Sequence, residues 1–310
     1  MRVGAICLCF LFSCVVALGG QSEGRAKKSL EAEWLYLGEK PPGSIPIIFA
    51  AGLISGAGYR LHGALVIRPD KREICWSVIP PAVVSISLVD STWSDAAPMP
   101  LEGRGVHAPV FLADGTRLFY QCVMEGGYGS LDIWWKNRTA DGWSEPVNAG
   151  SVLNSNLLES QPSVTNDGTL YFTGTLEGVG LNRGIYRSSL VNGEYSRPEL
   201  LGDGINTEYI DYCPWIAGDE SYLLFASSRP RSEEILHLHV SFREPDGRWS
   251  EPVNIHPVIG FDESARFPSV SPDGRFLFFV SGEQAYWVDM ITVTKLKTAR
   301  EGSAIQPPHN

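Results

Sequence analysis

The chain of 310 residues has a formal net charge of −10, with 44% apolar and only 19% charged residues. A chain of this composition can bury a large core. Its acidic balance, with one basic cluster at Arg25, Lys27 and Lys28, argues against nucleic acid or an anionic membrane surface as its partner.

The N-terminus predicts export. MRVGAICLCFLFSCVVALGG has one Arg, an apolar run over residues 3–18 and the small residues Ala17 and Gly19, which is typical of a signal peptide over residues 1–19. We therefore expect a periplasmic or secreted protein, with a linker over residues 20–33. A lipid anchor at Cys14 is the alternative, disfavoured by Phe12. No other apolar segment approaches the roughly 20 residues that a transmembrane helix needs.

A hairpin signal recurs along the rest of the chain. The stretch FPSVSPDGRFLFFVS, from Phe267, predicts two strands joined by a tight Asp-Gly turn. The same order of residues starts at His107, Gln161 and Tyr212, and a weaker copy starts at His62. The shared Asp stands at positions 70, 114, 167, 219 and 273. Five copies at a nearly constant period indicate a repeat architecture.

Each copy is followed by a second hairpin signal. Its turns are Asp141-Gly142, Asn192-Gly193 and Asp246-Gly247, and the units end in strands such as WSEPVN. Four short strands in about 50 residues, with no sustained helical periodicity after the signal peptide, predict a propeller blade. We expect the Pro of WSEP in the fourth strand, because an outer edge strand tolerates a missing N–H group.

The two ends of the repeat region complement each other. The last copy stops after YWVDM without a WSEP strand, and the segment SIPIIFAAGLIS, from Ser44, resembles the missing strand. The sequence therefore predicts an all-β fold, a five-bladed β-propeller of four-stranded antiparallel blades whose ring is closed by the N-terminal strand in the last blade. We place this propeller at residues 34–297 and a polar tail at 298–310. Deleting residues 34–55 is expected to unfold or oligomerise the protein.

These units resemble a known family. The Pro-x-x-x-x-Asp-Gly units, the YLGEKPPG lead-in from Tyr36, the WSEPVN strand ends and the closing YWVDM are similar to the TolB-like, WD-repeat-like β-propellers of bacterial envelopes. The resemblance covers roughly residues 36–297, and the first copy departs most because Lys71 replaces the turn Gly. It implies a binding or scaffolding module without catalytic activity.

The channel mouth is the predicted binding site. The first strand of each blade lines the central channel, so residues just before the Pro position should converge at one mouth. This set comprises His62, His107, Glu159, Ser160, Asp211, Tyr212, Glu263 and Arg266. Its mixed charges suit a sugar, a peptide terminus or a divalent cation. The alternative is that these groups only satisfy one another and hold channel water. No cofactor or dedicated metal site is predicted.

Catalysis is the alternative function. Glu159 and Asp211 could form the carboxylate pair of a glycan-acting hydrolase. The sequence has no G-x-S-x-G elbow, no H-E-x-x-H helix and no phosphate-binding loop after a strand. We therefore predict a monomeric, non-catalytic protein of the bacterial envelope that binds an envelope protein or a small glycan or peptide ligand.

Two residue types have a predicted structural role. Cys75, Cys122 and Cys213, the cysteines beyond the signal peptide, are expected to be buried free thiols. Trp134, Trp135 and Trp287 could offer a carbohydrate platform, but at strand positions they are expected to pack between blades.

Overall fold

The computed structural model describes residues 35–54, 59–175, 183–202, 204–229 and 235–304. The chain forms two compact units, residues 1–39 and 40–310. In the first unit, Leu35–Gly38 form a short 3₁₀ segment in which Tyr36 and Leu37 have positive φ. The predicted signal peptide and linker over residues 1–33 lie outside the described residues.

The second unit is a five-bladed β-propeller, as predicted. Within each blade the strands are antiparallel and run outward from the channel in the order first to fourth. Blade 5 takes its fourth strand from the N-terminal side of the chain. Blade 1 contains β2 (Arg60–Ile67), β3 (Glu73–Ile79), β4 (Ala82–Val89) and β6 (Ala97–Pro98), with β5 (Thr92–Trp93) beside β4, and blade 2 contains β7 (Arg104–Phe111), β8 (Arg117–Val123), β9 (Asp132–Thr139) and β11 (Val147–Asn148), with β10 (Gly142–Trp143) beside β9. Blade 3 contains β12 (Glu159–Val164), β13 (Leu170–Thr175), β14 (Arg183–Ser188) and β17 (Glu199–Leu200), with the hairpin β15 (Leu190–Val191) and β16 (Glu194–Tyr195). Blade 4 contains β18 (Asp211–Ile216), β19 (Tyr222–Ser227), β20 (His237–Phe242) and β21 (Val253–Asn254), and blade 5 contains β22 (Arg266–Val270), β23 (Phe276–Ser281), β24 (Gln284–Asp289) and β1 (Ile47–Ile48).

The repeated Asp stabilises the turn between the first two strands of every blade. In all five copies its carboxylate accepts a hydrogen bond from the amide two residues further on, at 2.9 to 3.2 Å. This is the local side-chain turn that Asp favours. The next residue has positive φ, and it is Gly115, Gly168 or Gly274 in blades 2, 3 and 5.

Two charged residues replace the turn Gly in the other blades. Lys71 in blade 1 and Glu220 in blade 4 have φ of 60° and 57°. Lys71 Nζ lies 2.8 Å from the carboxylate of Asp273 in blade 5. Glu220 accepts hydrogen bonds from Tyr171 and Arg187 of blade 3, at 2.7 and 2.9 Å. Each residue therefore bonds to side chains of the preceding blade, and these contacts offset the strain of its backbone.

The outer part of the blades agrees with the second hairpin signal, with one difference. The Asn192-Gly193 turn joins β15 to β16, and Asp141-Gly142 leads into β10. The expected place of the Pro is wrong for blades 2, 3 and 4, where it precedes the fourth strand, as Pro146 precedes β11. These fourth strands have only two residues. They begin directly after the Pro, at the first residue that again has a backbone N–H group to donate.

The N-terminal strand pairs with the last blade as predicted. Ile47 and Ile48 of β1 stand opposite Trp287 and Tyr286 of β24. The amide of Phe49 donates to the carbonyl of Ala285 at 2.8 Å. The Phe49 ring is buried against Phe278 and Trp287, with ring centroids 5.1 and 5.0 Å away. The fourth strand of blade 5 is thus supplied from the opposite end of the repeat region.

Two helices lie among the described residues of the second unit, although the sequence showed no sustained helical periodicity there. They are α1 (His256–Ile259) and α2 (Ile291–Ala304). In α2, Val293 is the buried residue among the side chains described. Its Ile-Thr-Val-Thr start consists of β-branched residues that favour strands. Among the described residues, no helix is long and apolar enough to span a membrane.

The cysteine and tryptophan predictions are confirmed at most positions. Cys75, Cys122 and Cys213 are free and buried. Trp134 packs in a core cluster with Cys75 of blade 1, and the ring of Trp135 lies 6.1 Å from that of Tyr195 in blade 3, as predicted. Trp287 is fully buried, with its ring against Phe49, Phe276 and Phe278 of its own blade.

Candidate functional site

The five inner strands surround one central channel. Each is in contact with the inner strands of its two neighbours around the ring. The turns that follow all five of them line one cavity of about 370 Å³, so these turns meet at the same end of the channel. We call this end the turn mouth, and the opposite end, where the inner strands begin, the strand-start mouth.

A bulge shapes every inner strand near the strand-start mouth. The register with the second strand shifts in all five blades. In blades 2 to 5 the residue before the Pro has a φ of 51° to 55°. These residues are Ala108, Gln161, Cys213 and Phe267. Because such a backbone is strained in residues other than Gly, the surrounding contacts must stabilise it.

Hydrogen bonds from the preceding blade stabilise three of these bulges. The amides of Ala108, Gln161 and Cys213 donate to side-chain oxygens at 2.9, 2.8 and 3.0 Å. The acceptors are Ser77, Gln121 and Thr173, one from the second strand of each preceding blade. We call these three contacts the blade latches. They hold the residues at the channel mouth in register from blade to blade.

Four of the predicted site residues come together at the strand-start mouth: His62, His107, Tyr212 and Arg266. The His62 ring lies 5.3 Å from His107 and 5.8 Å from the ring of Phe267, centroid to centroid. The Arg266 guanidinium carbon lies 5.3 Å from the Phe267 centroid, and its charge opposes the burial that raises the pKa of Tyr212. We call these four residues and Phe267 the mouth cluster.

Burial keeps the imidazoles of the mouth cluster neutral. It lowers the pKa of His107 to about 4, and His62 adds to this effect. His107 Nε2 lies 3.3 Å from the carbonyl of Val78, which it can reach only as a donor. Burial, and then the charge of Arg266, also lower the pKa of His62. Both rings can therefore donate hydrogen bonds without carrying a charge at neutral pH.

One glycine makes room for the side chain of Ser77. A Cβ atom at Gly63 would lie 2.6 Å from the Cβ of Ser77 and 3.7 Å from Nδ1 of His107. A larger residue at position 63 would push against the same Ser77 that accepts the first blade latch.

Glu159 is held by its own loop. It is 5% exposed, and its carboxylate accepts hydrogen bonds from the amide and the hydroxyl of Ser155, at 2.9 and 2.6 Å. Burial raises the pKa of Glu159, against the effect of Ser155. This carboxylate therefore fastens the loop that leads into β12.

Asp211 has the same role one blade later. It is fully buried, and it accepts two hydrogen bonds from Thr207 at 2.7 Å and one from Arg229 at 2.6 Å. Both loops contain Asn, then Ser or Thr, and an acid four residues after that. Asn154 and Asn206 bond to the backbone of the third strand, at Ile133 and Ile185. This repeated pattern was visible in the sequence and could have revealed the role of the two acids.

The last two predicted residues also bond outside the mouth cluster. Glu263 is exposed and accepts a hydrogen bond from Ser281 at 3.0 Å. Ser160 is buried, and its hydroxyl donates to the carbonyl of Thr173 at 3.4 Å. A ligand contact at Glu159, Ser160, Asp211 or Glu263 stays a prediction.

The turn mouth was not predicted as a site. Its cavity of about 370 Å³ contrasts with one of about 50 Å³ nearer the strand-start mouth, and the walls of both include Val66, Val110, Trp215 and Val270. Trp215 is the bulkiest of these side chains and half-exposed, with its ring 5.5 Å from Tyr222. Among the residues described, no group of three or more His, Cys, Asp or Glu could hold a metal ion.

Comparisons with known proteins find structural similarity to several solved structures. No family model and no curated protein match the chain. Among solved structures, TolB from Acinetobacter baumannii is 16% identical with a TM-score of 0.46, over 72% of this chain and 53% of that one. A gluconolactonase from Xanthomonas campestris is 13% identical with a TM-score of 0.43, over 81% and 97%.

A third similar structure is the Swd1 β-propeller domain from Myceliophteria thermophila, 9% identical with a TM-score of 0.40, over 73% of this chain and 63% of that one. The chain spans about half the length of the TolB structure. The five four-stranded blades of this chain themselves show the β-propeller fold that the sequence predicted.

Proposed function

We propose that this protein is a non-catalytic β-propeller that binds a ligand or a partner at the strand-start mouth. The observation that carries the proposal is the mouth cluster, in which residues from blades 1, 2, 4 and 5 meet. Such a convergence of polar groups over an apolar channel is the usual form of a ligand site.

The state of the two acids supports binding rather than hydrolysis. A glycosidase needs one carboxyl group that can donate a proton and a second that faces the sugar. Glu159 and Asp211 instead accept hydrogen bonds from Ser155, Thr207 and Arg229 of adjoining segments. A hydrolase would have to release them from these bonds before either could reach a glycan.

The proposal includes the place of the protein and its partners. The signal sequence over residues 1–19 favours export, to the periplasm or beyond the cell, with a lipid anchor at Cys14 as the alternative. The partner would then be an envelope protein, or a small glycan or peptide, and the propeller would act as a monomer.

A thermal-melt screen tests the proposal. The protein from Gly20 onward is melted with oligosaccharides, cell-wall fragments and short peptides, and the same mixtures are assayed for hydrolysis products. A ligand at one hundred times its dissociation constant should add about 2.7 kcal/mol of stability. We expect a raised melting temperature without turnover. Product formation that Glu159→Gln or Asp211→Asn abolishes would make the protein a hydrolase instead.

A further inference from the structure

The mouth cluster contains a cation without a counterion. The guanidinium carbon of Arg266 lies 5.3 Å from the centroid of the Phe267 ring, and the ring of His62 lies 5.8 Å from the same centroid. Among the described residues, Arg266 forms no ion pair with a carboxylate.

The other charged groups near this mouth bond elsewhere. Arg60 also acts on His62, but its guanidinium is paired with Glu283, with Nε 2.8 Å from the carboxylate oxygen. Asp211 is paired with Arg229, and Glu263 accepts a hydrogen bond from Ser281. A half-buried cation without a counterion is costly, and a bound anion would remove that cost.

The mouth also offers a hydrogen-bonding group in need of a partner. Nδ1 of His62 is buried and has no hydrogen-bond partner among the described residues. Because a neutral imidazole carries one donor and one acceptor, this nitrogen can take either role towards a ligand.

The guanidinium of Arg266 suits a planar anion. Its central carbon lies over the Phe267 ring, 5.3 Å from the centroid. The N–H groups of a guanidinium form a fork that matches a carboxylate with two parallel hydrogen bonds. The cavity beneath the mouth has only about 50 Å³ and is lined by Ala64, Ala108 and prolines, so a charged group must stop at the mouth.

We infer that the strand-start mouth recognises its ligand by a carboxylate held between Arg266 and the imidazole of His62. This inference rests on the proposed function, since it names the ligand class of the same site. A carboxylate of this kind is found on an acidic sugar and on the C-terminus of a peptide.

Two pairs of probes separate the sources and test the charge. Trigalacturonate is compared with its methyl ester, and trialanine with its C-terminal amide, by isothermal titration calorimetry at pH 7. We expect one free acid to bind and its neutral partner to bind at least tenfold more weakly. Equal affinity within the pair that binds would overturn the inference and leave the binding function intact. Binding in neither pair would also overturn it, while a raised melting temperature in the wider screen would still support the binding function.

The chain contains a matched control for Arg266. Arg275 lies over Phe276 at 5.0 Å, in the same Arg-Phe arrangement, but at the turn between β22 and β23. Arg266→Gln should weaken binding of the free acid at least tenfold, and Arg275→Gln should leave it unchanged. Arg266→Lys, which keeps the charge and loses the fork, should fall between the two. An unchanged affinity in Arg266→Gln would overturn the inference, as would inorganic phosphate that binds more tightly than either acid.

The pH dependence of the affinity for the acid is a further measurement. A purely structural role of Arg266 would not change it. The groups that face His62 are His107, Phe267, Arg266 and Arg60. A carboxylate beside the ring would raise its pKa, so the acid should bind more tightly as the pH is lowered from 7 to 5.5. This gain should be absent in His62→Gln. An affinity that does not depend on pH would contradict the contact with His62.

Discussion

A single histidine in blade 4 has the role that asparagine has in the two preceding blades. His256 Nε2 accepts the amide of Leu238 at 3.0 Å, as Asn154 accepts that of Ile133 and Asn206 that of Ile185. The imidazole can accept this bond only while it is neutral. Its neighbours are also imidazoles, His237 at 4.6 Å and His239. Protonation would therefore break a buried hydrogen bond and place like charges together.

We predict that His256→Asn reduces the acid sensitivity of the fold. Burial, with His237 and His239, lowers the pKa of His256 to about 4 from 6.5. The unfolded chain thus binds the proton more readily, and stability is lost as the pH falls from 6.5 towards 4. For one such group the loss at pH 5 is about 2 kcal/mol. Urea unfolding at pH 7 and pH 5 measures it, and an equal loss in the variant and the parent would refute this role.

The secondary structure could be predicted where the chain repeats its turn signals. Five Asp turns and the Asn-Gly or Asp-Gly hairpins fix the strands, because each signal requires a particular backbone. The terminal helix α2 could not be predicted, since its start consists of β-branched residues and Val293 is its buried contact among the side chains described. In this segment the tertiary context, and not the strand propensity of the β-branched residues, determines the secondary structure.

We predict that the first strand stabilises the ring mainly through Phe49. Phe49→Ala should lower the free energy of unfolding by about 3 to 5 kcal/mol, because it leaves a cavity beside Phe278 and Trp287. Ile47→Ala is the matched control in the same segment. Ile47 is 45% exposed, so its loss should cost less than about 1 kcal/mol. Urea denaturation of both variants checks the difference, and equal midpoints would contradict a closing role for Phe49.

Across the whole ring, the sequence predicted where the mouth lies but not which side chains face it. The Pro positions place His62, His107, Tyr212 and Arg266 at one end of the channel, because every blade repeats the same inner strand. The hydrogen-bond partners of Glu159 depend on the loop before its strand, and loops vary from blade to blade. The charge at the mouth therefore depends on the partner to which each acid bonds, and the sequence alone does not show those partners.

The blade latches make a prediction about the ring as a unit. Thr173 is fully buried, and its hydroxyl accepts the strained amide of Cys213 from the next blade. Thr173→Val keeps the shape but leaves that amide unsatisfied, which should cost about 1 to 3 kcal/mol. Thr173→Ser keeps the hydroxyl and loses one methyl group, at about 0.8 kcal/mol.

The two Thr173 variants also test whether neighbouring blades unfold together. In a closed ring a broken latch should lower the midpoint of one cooperative transition, with the urea m-value unchanged. Circular dichroism reports all blades, whereas tryptophan fluorescence does not report blade 3, because residues 159–200 contain no Trp. Coincident transitions by both probes are expected for the parent and for Thr173→Val. Separate transitions in Thr173→Val alone would mean that this latch, rather than the packing between blades, couples blade 3 to blade 4.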